Sequence, residues 1–133
     1  MKKNLFIAMA ILFTYTINAQ DTEKRYNFAY TISDSCNDSK VVYFSPIVSC
    51  TVPHLWFDNE ESQLKRKWQK KVFANYKLKT YCFYKEAWVW KSYGKVDEQR
   101  DKTIAEFRNR GYKVYANYTF GFHYVSAYEE SKN

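Results

Sequence analysis

The chain has 133 residues, 46% of them hydrophobic and 20% aromatic, and a formal net charge of +7. That length suits one domain with a core of its own, which excludes a disordered chain. Three glycines and two prolines exclude a loop-built or low-complexity scaffold, and no internal repeat marks a solenoid.

Lys2 and Lys3 precede an apolar run from Leu5 to Phe13, and Ile17-Asn18-Ala19 follows with a small residue at its end. This is the pattern of a secretory signal peptide over residues 1–19, cut between Ala19 and Gln20. The run is short of the ~20 apolar residues a spanning helix needs, and no later stretch reaches that length. The expectation is a secreted or periplasmic domain over residues 20–133, with no transmembrane segment after cleavage.

Gln20 to Arg25 is polar and reads as a frayed start. Tyr26, Phe28, Tyr30 and Ile32 then alternate with smaller or polar residues, a strand with one apolar face. Residues 34–39 form a turn cluster, and Val41 to Cys50 reads as a second, antiparallel strand. Pro46 cannot donate to a ladder, so it predicts an edge position or a bulge there. From Leu55 to Leu78, Phe57, Glu61, Leu64, Trp68, Val72 and Tyr76 step by three and four, the spacing of one helical face. Asp58 stands as N-cap with Glu61 as its capping-box partner, and a run of lysines follows on the exposed side. Lys79 to Lys91 favours a third strand. Ser92 caps a second helix, Tyr93 to Arg110, whose stripe is Tyr93, Val96, Arg100, Ile104 and Phe107. Gly111 ends it in a left-handed conformation. Tyr112 to Val125 reads as the last strand and Tyr128 to Asn133 as a polar tail. The order β-β-α-β-α-β predicts an α+β fold, with two amphipathic helices packed on one face of a four-stranded mixed sheet.

Cys36, Cys50 and Cys82 make an odd count, so one disulfide with one thiol left over is expected after export. Cys36 in the hairpin turn and Cys50 at the far end of the returning strand lie too far apart for a bridge. If the first helix is a crossover, Cys82 comes to the Cys36 end, so Cys36–Cys82 is the expected pair.

No motif with catalytic spacing is present. Cys50 and His54 are the residue types of a nucleophile and its base, but an extended segment containing Pro53 need not bring them together. Cys36, Cys50, Cys82, His54 and His123 lack zinc spacing, so neither a metal nor a cofactor is expected. Arg100 on an apolar stripe requires a partner: Glu61 across the two helices, or an anionic ligand. If the third strand is regular, Tyr84, Glu86, Trp88 and Trp90 share one face, which is either a platform for sugar rings or a partner protein or part of the core that packs the helices, the commoner meaning of such periodicity. The basic helix face has the composition of a nucleic-acid footprint, but an exported protein does not meet nucleic acid, so an anionic envelope surface is the partner it suggests. The reading is an exported, non-catalytic binding module whose partner is a protein, a glycan or that surface. The alternatives are a secreted enzyme using Cys50 and His54, and a structural envelope protein without a small ligand.

Overall fold

The computed structural model describes residues 21–33, 40–53, 58–78 and 83–133. The expected signal peptide, the residues expected as a turn around Cys36, the segment with His54 and Phe57, and Cys82 lie outside them. The chain is α+β, as expected from the element order, with a mixed sheet.

Strand β1 (Thr22–Ser33) is the centre of that sheet. Along one edge it pairs antiparallel with β2 (Val41–Phe44) and then with β3 (Val48–Pro53). Along its other edge it pairs antiparallel with β4 (Phe83–Trp90), from Tyr26↔Trp90 to Ser33↔Phe83. A three-residue strand, β5 (Lys113–Tyr115), adds in parallel to β2. The expected second strand is thus broken in two, which gives five strands instead of four. The break is the bulge that Pro46 required. Tyr30 faces Phe44 and Asn27 faces Val48, so the returning strand carries one extra residue between them. Ser45 repairs the ladder. Its N–H donates to Ala29 O at 2.7 Å, and the Ala29 N–H donates to Ser45 Oγ at 2.9 Å.

Helices α1 (Asp58–Asn75) and α2 (Tyr93–Asn109) lie on opposite faces of the sheet, and this corrects the one-face expectation. Successive strand side chains point to opposite sides. Ala29, Tyr43, Cys50, Val52 and Ala87 pack with Leu64, Trp68 and Val72 of α1. Phe28, Val42 and Phe44 pack with Val96, Ile104 and Phe107 of α2. The polar side of β1 is therefore buried as well. Thr31 Oγ1 donates to Tyr84 O at 2.8 Å and accepts from Gln69 Nε2 at 3.2 Å. These bonds satisfy Thr31 beneath the helix, while the buried Asn27 Oδ1 has no partner among the described residues. Nor does β1 fray at its start, since Thr22 already pairs with Pro53.

In α1 the fully buried stripe is Glu60, Leu64, Trp68 and Val72, at steps of four. Glu61, expected on that stripe, is half-buried and lies 3.8 Å from Lys65. Helix α2 begins and ends as its sequence predicts. Ser92 Oγ accepts from the Lys95 N–H, Gly111 has φ +82°, and the Tyr112 N–H returns to Phe107 O at 3.0 Å. Beyond Tyr115 the predicted long strand leaves the ladder. Tyr118, Phe120 and Phe122 instead pack around Trp68, with centroids 5.2, 6.2 and 5.0 Å from it. The predicted tail is a short helix, α3 (Ala127–Ser131), started by a Ser126/Glu129 capping box.

Candidate functional site: an aromatic face on the edge strand

Among the described residues strand β4 pairs with β1 alone, and no described strand lies along its outer edge. It is regular, and Tyr84, Glu86, Trp88 and Trp90 stand together on the α2 side of the sheet, as the alternation requires. The register sets β1 aromatics beside them: Tyr26 opposite Trp90, Phe28 opposite Trp88 and Tyr30 opposite Glu86. Trp88 and Trp90 lie nearly parallel, with centroids 6.3 Å apart and planes 12° from each other. Tyr93, first residue of α2, meets the Tyr26 ring edge-on at 5.6 Å. The large apolar side chains left exposed among the described residues are Tyr84 at 62%, Tyr93 at 52% and Trp88 at 38%. All three belong to this face.

A groove of about 450 Å³ wraps the outer edge of β4, lined by Tyr30, Glu86, Trp88 and Trp90 from this face and by Ala87, Val89 and Glu61 of α1 from the other side. The two ends differ. At the Tyr84 end the rings are open to solvent. At the other end Trp90 is partly buried beside Tyr26, Lys95 Nζ lies 6.0 Å from its ring centroid, and its buried indole N–H has no partner. Burial raises the Tyr30 hydroxyl above its ordinary value, and the neighbouring Trp88 indole opposes that rise. Flat apolar rings beside an acceptor carboxylate bind by stacking and hydrogen bonding. Sequence reasoning missed Tyr26, Tyr30 and Tyr93. The alternation in β1 was visible, but nothing in it said which strand would lie alongside or in what register.

Arg100 does not join this face. It is half-buried, and its Nε donates to Ser45 O at 2.9 Å and its Nη2 to Ala116 O at 3.4 Å. It braces the bulge against the chain leaving β5. Glu61 sits on a helix on the other side of the sheet, so the Arg100–Glu61 pair does not form. Burial lowers the Arg100 pKa, which Asp101 and Asp97 partly offset.

Cys50 is a buried free thiol whose Sγ accepts from Asn27 Nδ2 at 3.3 Å. Burial pushes it up to about 11 from 9.0, against the smaller opposing effect of Asn27. The thiolate is the nucleophile, so at neutral pH Cys50 is protonated and unsuited to attack. Its expected base, His54, and the Cys36–Cys82 pair lie outside the described residues. Because the folded pKa lies above the unfolded one, the stability tied to Cys50 is complete below pH 9.0 and lost as pH rises through about 11. Urea denaturation across that window should show a shallower decline for Cys50→Ala than for the parent. At pH 8 the native thiol should react with a disulfide reagent only as fast as the protein opens. Rapid labelling at pH 7 would restore the catalytic reading.

Among the described residues no three His, Cys, Asp or Glu side chains converge on a metal position, and no helix is long and apolar enough to cross a membrane. Comparison with protein-family models, with curated proteins and with solved structures finds no match to this chain.

Proposed function

We propose that the chain is a small exported, non-catalytic binding module that holds a ring-bearing ligand, in the first place a glycan, on the Tyr84–Glu86–Trp88–Trp90 face. The observation that carries this reading is the gathering of Tyr84, Trp88 and Tyr93, the exposed large apolar side chains among the described residues, around the edge strand of the described sheet. Side chains of this size are normally buried, and a cluster left in water marks a binding surface. The open ends of Trp88 and Tyr84 supply stacking area at low entropic cost, and Glu86 supplies an acceptor for hydroxyl groups. Export belongs to the same reading and rests on the signal pattern over residues 1–19.

Calorimetric titration with soluble hexasaccharides of glucose and of N-acetylglucosamine is the test. Trp88→Ala should weaken binding at least tenfold while shifting the melting temperature by no more than a few degrees, since Trp88 is 38% exposed and stands outside both core clusters. Trp90→Ala is the poorer probe, because Trp90 also packs against the α2-side core. If Trp88→Ala binds glycans as the parent does, the face is not the site. If no glycan binds and the face instead captures a protein, the ligand class changes and the surface stands.

A further inference from the structure

On the other side of the molecule α1 and the chain ahead of α3 enclose a second groove, of about 670 Å³, lined by Lys67, Lys70, Lys71, Ala74, Gly121, Phe122 and His123. Positions 67, 70 and 71 are three and four apart, so their ammonium groups share one side of the helix. The three are not equivalent. Lys67 is committed to the C-terminal segment, pairing with Glu130 and donating to Val125 O at 3.0 Å. Among the described residues no carboxylate lies within ion-pair distance of Lys70 or Lys71; Lys71 lies over the Phe120 ring at 5.6 Å. The exposed His123 stands on the opposite wall. Between these rims the floor is apolar: Phe122, anchored edge-on against Trp68 at 5.0 Å, and Ala74. Gly121 keeps the space open. It has an ordinary backbone conformation, and a Cβ built there meets nothing within 4 Å.

We propose that this groove binds a single-chain amphiphile with an anionic head, the head against Lys70 and Lys71 and the apolar tail along Phe122 and Ala74. Two uncompensated cations above an apolar floor match both halves of such a molecule. A simple anion would leave the floor in water, and a neutral apolar molecule would desolvate two ammonium groups without replacing their hydration. The groove is formed by α1 and the C-terminal segment, so it stands independently of the aromatic face.

Dodecanoate below its micelle concentration is the probe, followed by calorimetry and by backbone amide shifts. Saturable one-to-one binding is expected, with shifts centred on Lys70, Lys71 and Phe122. Acetate and 1-decanol should each bind at least tenfold more weakly. Gly121→Leu fills the groove at a site with room and no backbone strain, and should weaken dodecanoate at least tenfold with an unchanged melting temperature. The double variant Lys70→Glu with Lys71→Glu should do the same by removing the charge. Trp88→Ala should bind dodecanoate as the parent does. The proposal is overturned if the parent shows no saturable binding, or if either groove variant binds as tightly as the parent. It is equally overturned if decanol or acetate matches dodecanoate.

Discussion

Trp68→Ala should cost about 4 kcal/mol of stability, the largest effect expected from one side chain. Trp68 is fully buried at the point where α1, the sheet and the C-terminal segment meet. Truncating a buried Trp costs about 3–5 kcal/mol through lost transfer energy and the cavity left behind. Trp68 Nε1–H also donates to Tyr43 O at 2.9 Å, and that carbonyl loses this donor in the variant. Its ring holds Tyr118, Phe120 and Phe122 in place, so their packing should loosen too. Against a total stability of about 5–15 kcal/mol for a native domain, such a loss takes much of what exists. Urea denaturation measures it directly. Trp68→Phe, which keeps most of the volume but not the donor, should cost roughly half as much. A loss below about 1 kcal/mol for Trp68→Ala would mean that the aromatic cluster does not hold the C-terminal segment down.

The second large effect is at Glu60. This carboxylate is 1% exposed and sits in the first turn of α1, where the helix dipole favours negative charge. It receives the Tyr124 hydroxyl on one oxygen and the Ala127 N–H, at 3.1 Å, on the other. Burial first, and then this bond to Glu60, raise the Tyr124 hydroxyl well above its ordinary value. Glu60→Ala orphans the Ala127 N–H and leaves the Tyr124 hydroxyl only the Glu60 backbone oxygen at 3.2 Å; a lost partner costs about 1–3 kcal/mol where the site stays dry, so a loss of about 2 kcal/mol is expected. Tyr124→Phe should cost less, and the double variant should cost markedly less than the sum, because the two share one bond. Hydrogen exchange should localise the damage to residues 124–131. There Ser126 Oγ donates to Thr51 O at 2.8 Å, and Glu129 accepts from the Thr51 N–H at 3.0 Å. Strict additivity in the cycle would show that Glu60 and Tyr124 act separately.

Glu60 also shows where sequence reading stopped. The stripe through Leu64, Trp68 and Val72 was legible, but both Glu60 and Glu61 lie within helical reach of Leu64. The spacing from Phe57 put Glu61, and not Glu60, on the stripe. Glu60 is buried because Tyr124 and Ala127, more than sixty residues away, arrive with donors. The same holds for the polar side of β1. Asn27 and Thr31 read as solvent-facing, yet both are buried: Tyr84 and Gln69 satisfy Thr31, and Cys50 Sγ takes the Asn27 amide. The stretch after Tyr115 kept its alternation but left the ladder, since its rings found Trp68 instead of a neighbouring strand. Of the proposed binding face, Tyr84, Glu86, Trp88 and Trp90 were legible from period alone. Arg100 was legible as a buried charge, but its partners are carbonyls, which carry no side-chain signal.

Local, short-range physics was determined by the sequence by itself. Both long helices and their apolar faces follow from residue spacing, as do the Ser92 cap, the Gly111 stop, the break at Pro46 and the alternation of β1 and β4. Each depends on residues within a few positions of one another, where backbone geometry dictates which side chains share a side. Only the tertiary structure decided that the helices take opposite faces, that β4 lies beside β1 with no described strand along its outer edge, and that the C-terminal segment closes over α1. Those choices rest on hydrophobic burial, which has no direction and rewards many arrangements of the same faces. Directional bonds between distant residues, such as Tyr124 to Glu60 and Arg100 to Ser45, select among them.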